Sequence, residues 1–109
     1  MTATSTKASE VLAAAANLIE PPGAWTRCAY ARGAHGEPAT ASAQHATCWC
    51  AVGAIKRIVP KKGEWLQAVN YLDKIVGTIV LFNDALDRTQ AEVVAALREA
   101  STLAAQEGN

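Results

Sequence analysis

The chain reads as a compact α+β domain, mostly helical, with about four helices packed against a small sheet of two or three strands. Three observations lead there. Apolar residues recur at helical spacing in four separate stretches of the 109 residues. Two short stretches break that rhythm with strand-like patterns, Arg27–Arg32 by alternation and Thr78–Phe82 by an unbroken apolar run. Proline and glycine punctuate the boundaries between these stretches.

Lys7–Glu20 has the first helical pattern, with Val11, Ala14, Ala15, Leu18 and Ile19 on one stripe and Ser5, Thr6 or Ser9 available as caps. Pro21-Pro22-Gly23 ends it, because proline lacks an amide hydrogen and restricts the residue before it. In Arg27–Arg32 the alternation places Cys28 and Tyr30 on one face. Gly33-Ala34-His35-Gly36 supplies turn chemistry, so a hairpin is expected, its second arm weakened by Pro38. Ala39–Ala46 reads as a loop. A second helix is expected over Thr47–Val59, with Cys48, Val52, Ile55 and Val59 on one face and Gly53-Ala54 open to a close backbone approach. Pro60 stops it.

A third helix is expected over Glu64–Val76, with Trp65, Val69, Leu72 and Val76 inward and Gly77 as the left-handed residue after its end. Thr78–Phe82 is too short and too β-branched for a helix of ordinary length, so it is expected as a buried strand paired with Arg27–Arg32. Thr89-Gln90-Ala91-Glu92 is a capping box that opens the last helix, with Val93, Ala96, Leu97, Ala100 and Ala104 along its inner face. One domain spans 1–109, its ordered core about 7–105, with the first and last few residues expected to be loose.

Half the residues are hydrophobic, but 24 are alanine and only 22 are Val, Ile, Leu or Phe, so the core should be thin. Thin cores gain from association, and self-association is the expected partnership, with a further protein partner open. Zero formal net charge removes the simplest case for nucleic-acid binding, which leans on a positive field. The cluster Lys56, Arg57, Lys61 and Lys62 is read as a solvated helix end. No run is long enough to span a membrane, and the polar Met1–Ser9 stretch lacks the layout of a signal peptide. Three cysteines fit reduced thiols, which points to the cytoplasm.

All the cysteines and histidines lie between Trp25 and Trp49-Cys50. His45-x-x-Cys48-x-Cys50 has donors that zinc accepts, but the spacing is wrong for common zinc patterns, and no metal or cofactor is expected. A nucleophilic Cys48 or Cys50 in the first turn of a helix, with His45 or His35 as base and Asp84 orienting it, is coherent chemistry for a small thiol enzyme. Against it stands the ordinary role of a free cysteine as a small buried hydrophobe. Asn83-Asp84 with Arg88 is the second polar focus, at the end of the expected strand.

Several segments together resemble a small uncharacterised family of bacterial and phage proteins, a domain of unknown function. They are Val11-Leu12, Ala15 and Leu18-Ile19; Tyr30-Ala31-Arg32; Trp49-Cys50-Ala51-Val52-Gly53-Ala54; and Asn83-Asp84 with Arg88-Thr89-Gln90-Ala91-Glu92-Val93 and Leu97-Arg98-Glu99-Ala100. The resemblance runs from about residue 8 to 104 and implies a single domain of bacterial or phage origin. It carries no activity, and it marks Trp49, Cys50, Asn83, Asp84 and Arg88 as candidate ligand or partner contacts. Cys28 and Cys48 fall outside the pattern. The function expected is therefore a non-enzymatic interaction or ligand-binding module, with the thiol enzyme using Cys48 or Cys50 and His45 as the alternative.

Overall fold

A computed structural model describes residues 7–109. Among the described residues five helices accompany a three-stranded antiparallel sheet. In chain order the elements are α1 (Ala8–Ile19), β1 (Ala31–Gly33), β2 (Pro38–Ala39), β3 (Ala46–Trp49), α2 (Ala51–Ile58), α3 (Lys62–Val76), α4 (Ile79–Asp84) and α5 (Gln90–Gln106). The mostly helical α+β class is as the sequence predicts; the helix count and the strands' identity are not.

The core forms where the stripes of α1 and α5 meet, with α2 and α3 closing over them. Leu12, Ile19, Ile55, Leu72 and Leu97 are its largest fully buried apolar side chains. Alanine supplies 13 of the 25 buried apolar residues among those described, so the helices approach closely but bury little bulk. Ser5 and Thr6 lie outside the described residues, Ser9 sits within α1, and Lys7 holds the cap position. The α5 capping box forms as expected: Glu92 N–H donates to the Thr89 hydroxyl at 3.2 Å, and Thr89 N–H donates to the Glu92 carboxylate at 2.9 Å.

The C-terminal residues, expected to be loose, are tied in. Ser9 N–H donates to the Asn109 carbonyl at 3.1 Å, and Asn109 Nδ2 donates to the Tyr71 hydroxyl at 2.8 Å. That hydroxyl in turn donates to Glu107 at 2.7 Å.

Two expected elements are corrected. Thr47–Trp49 is strand, not the start of α2. Trp49 N–H donates to Ala24 O at 2.9 Å and Trp49 O accepts from Thr26 N–H at 3.1 Å, so backbone pairing on its outer side holds this segment extended. The helical spacing from Cys48 to Val59 is therefore accidental at its first position, and Cys50 is the N-cap. The sheet order is β2-β1-β3, with Ala31 opposite both Ala39 and Trp49. The expected hairpin is present, with Gly36 left-handed at φ 79°. The partner of the Arg27–Arg32 segment is thus the hairpin arm and β3, and not Thr78–Phe82.

That run instead forms α4. Only Ile79 and Asn83, one helical turn apart, are buried; Val80 and Leu81 face solvent at 58% and 73% exposure. A continuous apolar run is ambiguous between a buried strand and a short helix, and here the excess apolar residues lie on the surface.

Candidate functional site

The sequence brings Asn83 to the middle of the molecule by helix geometry, since it lies one turn after the buried Ile79. It is 2% exposed and the one buried polar residue among those described. Its amide is fully used. Oδ1 accepts from Trp25 Nε1 at 2.8 Å and from Ala51 N–H at 3.1 Å; Nδ2 donates to Thr26 O at 3.1 Å and to Asp84 Oδ1 at 2.9 Å. An asparagine side chain offers two donors and two lone pairs, and all four are engaged. One amide therefore joins the segment before β1, the first turn of α2, and α4.

Asp84 Oδ1 also accepts from Cys28 N–H at 2.9 Å. Cys28 adopts φ 63°, a left-handed conformation unusual for a side chain with a Cβ. This bend ends the expected Arg27–Arg32 strand early, so that pairing begins only at Ala31. From Cys28 the chain crosses over α2. Tyr30 O accepts Cys50 N–H at 3.2 Å, and it passes so close to Gly53 that a Cβ there would stand 1.9 Å from it. The close approach expected at Gly53 is thus real, and its partner is the Tyr30 carbonyl.

Between this strap and α4 lies a cleft of about 300 Å³. Tyr30, Val52, Ile79 and Val80 make its walls, and Cys28, Cys50, Asn83 and Asp84 line its polar side. That volume is at the small end of ligand pockets, about 300–1,000 Å³, and suits a side chain or a fragment. Among the described residues no donor reaches Asp84 Oδ2. Three wider depressions of about 430–490 Å³ lie more open on the surface, one beside Glu20, Gln90 and Arg98 and another beside Arg88, Glu92 and Glu99.

Cys50 sits at the cleft as the cap of α2, its sulfur accepting from Gly53 N–H at 3.3 Å. Burial pushes its thiol above the ordinary value. The amides of Gly53 and Val52 pull the other way, and nearby Asp84 adds to the rise. The net effect keeps the thiol protonated, the reverse of an activated nucleophile. His45 is exposed and precedes β3, whereas Cys50 follows it. At about 3.3 Å per strand residue the intervening segment spans up to roughly 16 Å. Cys48 lies within β3, where its thiol donates to Arg32 O at 3.8 Å.

Of the five positions singled out in the sequence, Cys50, Asn83 and Asp84 meet at the cleft. Trp49 lies in the sheet, donating from Nε1 to Ala41 O at 2.9 Å. Arg88 turns to the far side of α4, where it covers the Phe82 ring at 3.9 Å, donates from Nε to Phe82 O at 2.8 Å, and pairs with Glu92 at 3.4 Å. Lys56 and Arg57 are drawn onto aromatic rings: Lys56 stands between Tyr30 and Trp65, at 4.2 and 4.6 Å, and Arg57 covers Trp49 at 5.3 Å. Among the described residues no three of His, Cys, Asp and Glu gather as a ligand set for a metal ion. Among the described residues no helix is long and apolar enough to cross a membrane.

Two contributors were not singled out in the sequence. Arg27 donates to Ala85 O at 3.1 Å, to Leu86 O at 3.4 Å and to Arg88 O, fastening the α4–α5 loop. Trp25, named in the sequence only as one end of the cysteine and histidine window, supplies an indole donor to Asn83. Their only sequence signal is residue type, an arginine and a tryptophan flanking a short turn.

A model for a family of unknown function (DUF6197) matches residues 3–103. No curated protein matches, and no solved structure matches.

Proposed function

The chain belongs to that family of unknown function, and we propose that it is a non-enzymatic interaction or ligand-binding module whose recognition site is the cleft between the Tyr30 strap and α4. The observation that carries this is the pairing of an apolar-walled cleft with one carboxylate oxygen, Asp84 Oδ2, that receives no donor from the described residues. Such a site favours an apolar group that carries an N–H donor or a cation beside it. The protonated Cys50 thiol, far from His45, fits a wall better than a nucleophile. Three free cysteines fit a reducing, cytoplasmic setting.

The test is a titration with isoamylamine followed by amide NMR, with isoamyl alcohol as the uncharged control. The amine is expected to shift the amides of Ala29, Tyr30, Val52 and Val80, and to bind about tenfold more weakly to Asp84→Asn, the loss of one charge-assisted hydrogen bond. Shifts scattered away from these amides, or equal affinity for amine and alcohol, would overturn the reading.

A further inference from the structure

We infer that the cleft's occupant is a second copy of this chain, docked through Leu86; this rests on the reading of the cleft as a recognition site. Leu86 is 98% exposed, and Leu81 and Val80 of the preceding helix are exposed at 73% and 58%. This is not the exposure of a slack loop. Arg27 holds the carbonyls of Ala85, Leu86 and Arg88, and Arg88 N–H donates to Ala85 O at 3.0 Å, so the leucine is presented on a fastened turn. Rigid apolar projections of this kind mark contact surfaces.

The choice of a second copy follows from what lies beside the projection. A twofold interface uses the same patch on both chains, so the patch must be complementary to itself. Here exposed Val80 lines the cleft, and so does Asp84, two residues before Leu86, so knob and hole are neighbours along the chain. The polar groups also match across such a contact. The backbone amides of Leu86 and Asp87 donate to no described residue, and Asp84 Oδ2 receives from none. Asp87 flanks the leucine, while the Lys56 ammonium lies over the Tyr30 ring that walls the cleft. Leu86 of one copy entering the cleft of the other would carry Asp87 towards Lys56, and its amides towards Asp84. The alanine-rich core supplies the incentive for added burial.

Sedimentation velocity from low micromolar to millimolar concentration tests this on the full chain. A monomer–dimer equilibrium is expected. Leu86→Ser, which removes a side chain with no intramolecular burial to lose, is expected to keep the melting temperature of dilute protein and to weaken the dimer at least about tenfold, as for an interface anchor. Asp87→Lys and Lys56→Glu should each weaken it, and the two together should restore part of the loss. A strictly monomeric protein at millimolar concentration, or a dimer untouched by Leu86→Ser, overturns the inference. The isoamylamine titration then separates the two readings: a monomer that still binds the amine at the cleft keeps the proposed function and loses only the second copy as occupant.

Discussion

Replacing Asn83 by alanine tests the architecture of the site most directly. The substitution deletes four hydrogen bonds and leaves the Trp25 indole N–H, the Ala51 N–H and the Thr26 carbonyl without that partner. A buried hydrogen bond contributes about 1 kcal/mol net, and an orphaned buried group costs about 1–3 kcal/mol. Water entering from the cleft can relieve part of this, so the expected cost is about 3–5 kcal/mol. A domain of this size has about 5–15 kcal/mol in total. Urea unfolding followed by tryptophan fluorescence gives the value. With a slope of about 2 kcal/mol per molar, the midpoint should fall by about 2 M with the slope unchanged. A double-mutant cycle with Trp25→Phe isolates one bond: the two changes should couple by about 1 kcal/mol, because the indole donor has nothing to lose once Asn83 is gone. A cost under about 1 kcal/mol, or strict additivity with Trp25→Phe, would refute the reasoning that this amide holds the site together.

Gly53→Ala should destabilise by at least about 2 kcal/mol, since the new methyl would collide with the Tyr30 carbonyl and lift the strap; a neutral result by urea unfolding would contradict the close approach. Cys28→Gly should be neutral to stabilising by up to about 1 kcal/mol, because φ 63° costs a non-glycine residue and the side chain is exposed. In iodoacetamide labelling near neutral pH, exposed Cys28 should react first and Cys50 last, and a fast Cys50 would reinstate an activated thiol. The Cys50 thiol ionises later in the folded chain than in the unfolded one. Its contribution is thus complete below the ordinary thiol value of 9.0 and falls away as pH rises through the folded one. Cys50→Ser, which keeps a capping side chain, should flatten that alkaline decline in melting temperature. Glu92 carries the opposite sign: the Thr89 amide holds its carboxyl below the usual range, so its stabilisation is present above that range and lost on acidification. Glu92→Gln should remove this acid-side dependence, and an unchanged acid limb would refute it.

The helices were legible wherever burial and periodicity agreed. The stripe of α1 and the capping box of α5 each state one answer, whereas of the stripe expected in α3 only Leu72 is buried, and Ala68 and Tyr71 complete its inner face. The β3–α2 junction was not legible. Cys48, Val52, Ile55 and Val59 satisfy helical spacing, and tertiary pairing decides against it, with β1 on one side and with Ala24 and Thr26 on the other. α4 failed for a different reason: its exposed Val80 and Leu81 imitate the inner face of a strand. Asn83 and Asp84 could be marked as a polar focus beside apolar residues, but their bonds to Trp25, Thr26 and Cys28 span 56–58 residues, and no local pattern records them. Arg88 packs on Phe82 and Glu92 away from the cleft, which adjacency in sequence to Asn83 and Asp84 does not record.

The amide of Asn83 also sets an order of events. Its long-range partners Trp25, Thr26 and Ala51 all lie in the first half of the chain, so each of these bonds closes only once α4 has docked against the partner segment. Ala51 N–H, which in most helices would be left to solvent at the first turn, is therefore shielded only while α4 is seated. Its exchange with deuterium measures how often α4 lifts away, separately from unfolding of the α1–α5 core. Whatever occupies the cleft selects the seated state, and by mass action it should slow that one exchange rate more than those of the core amides.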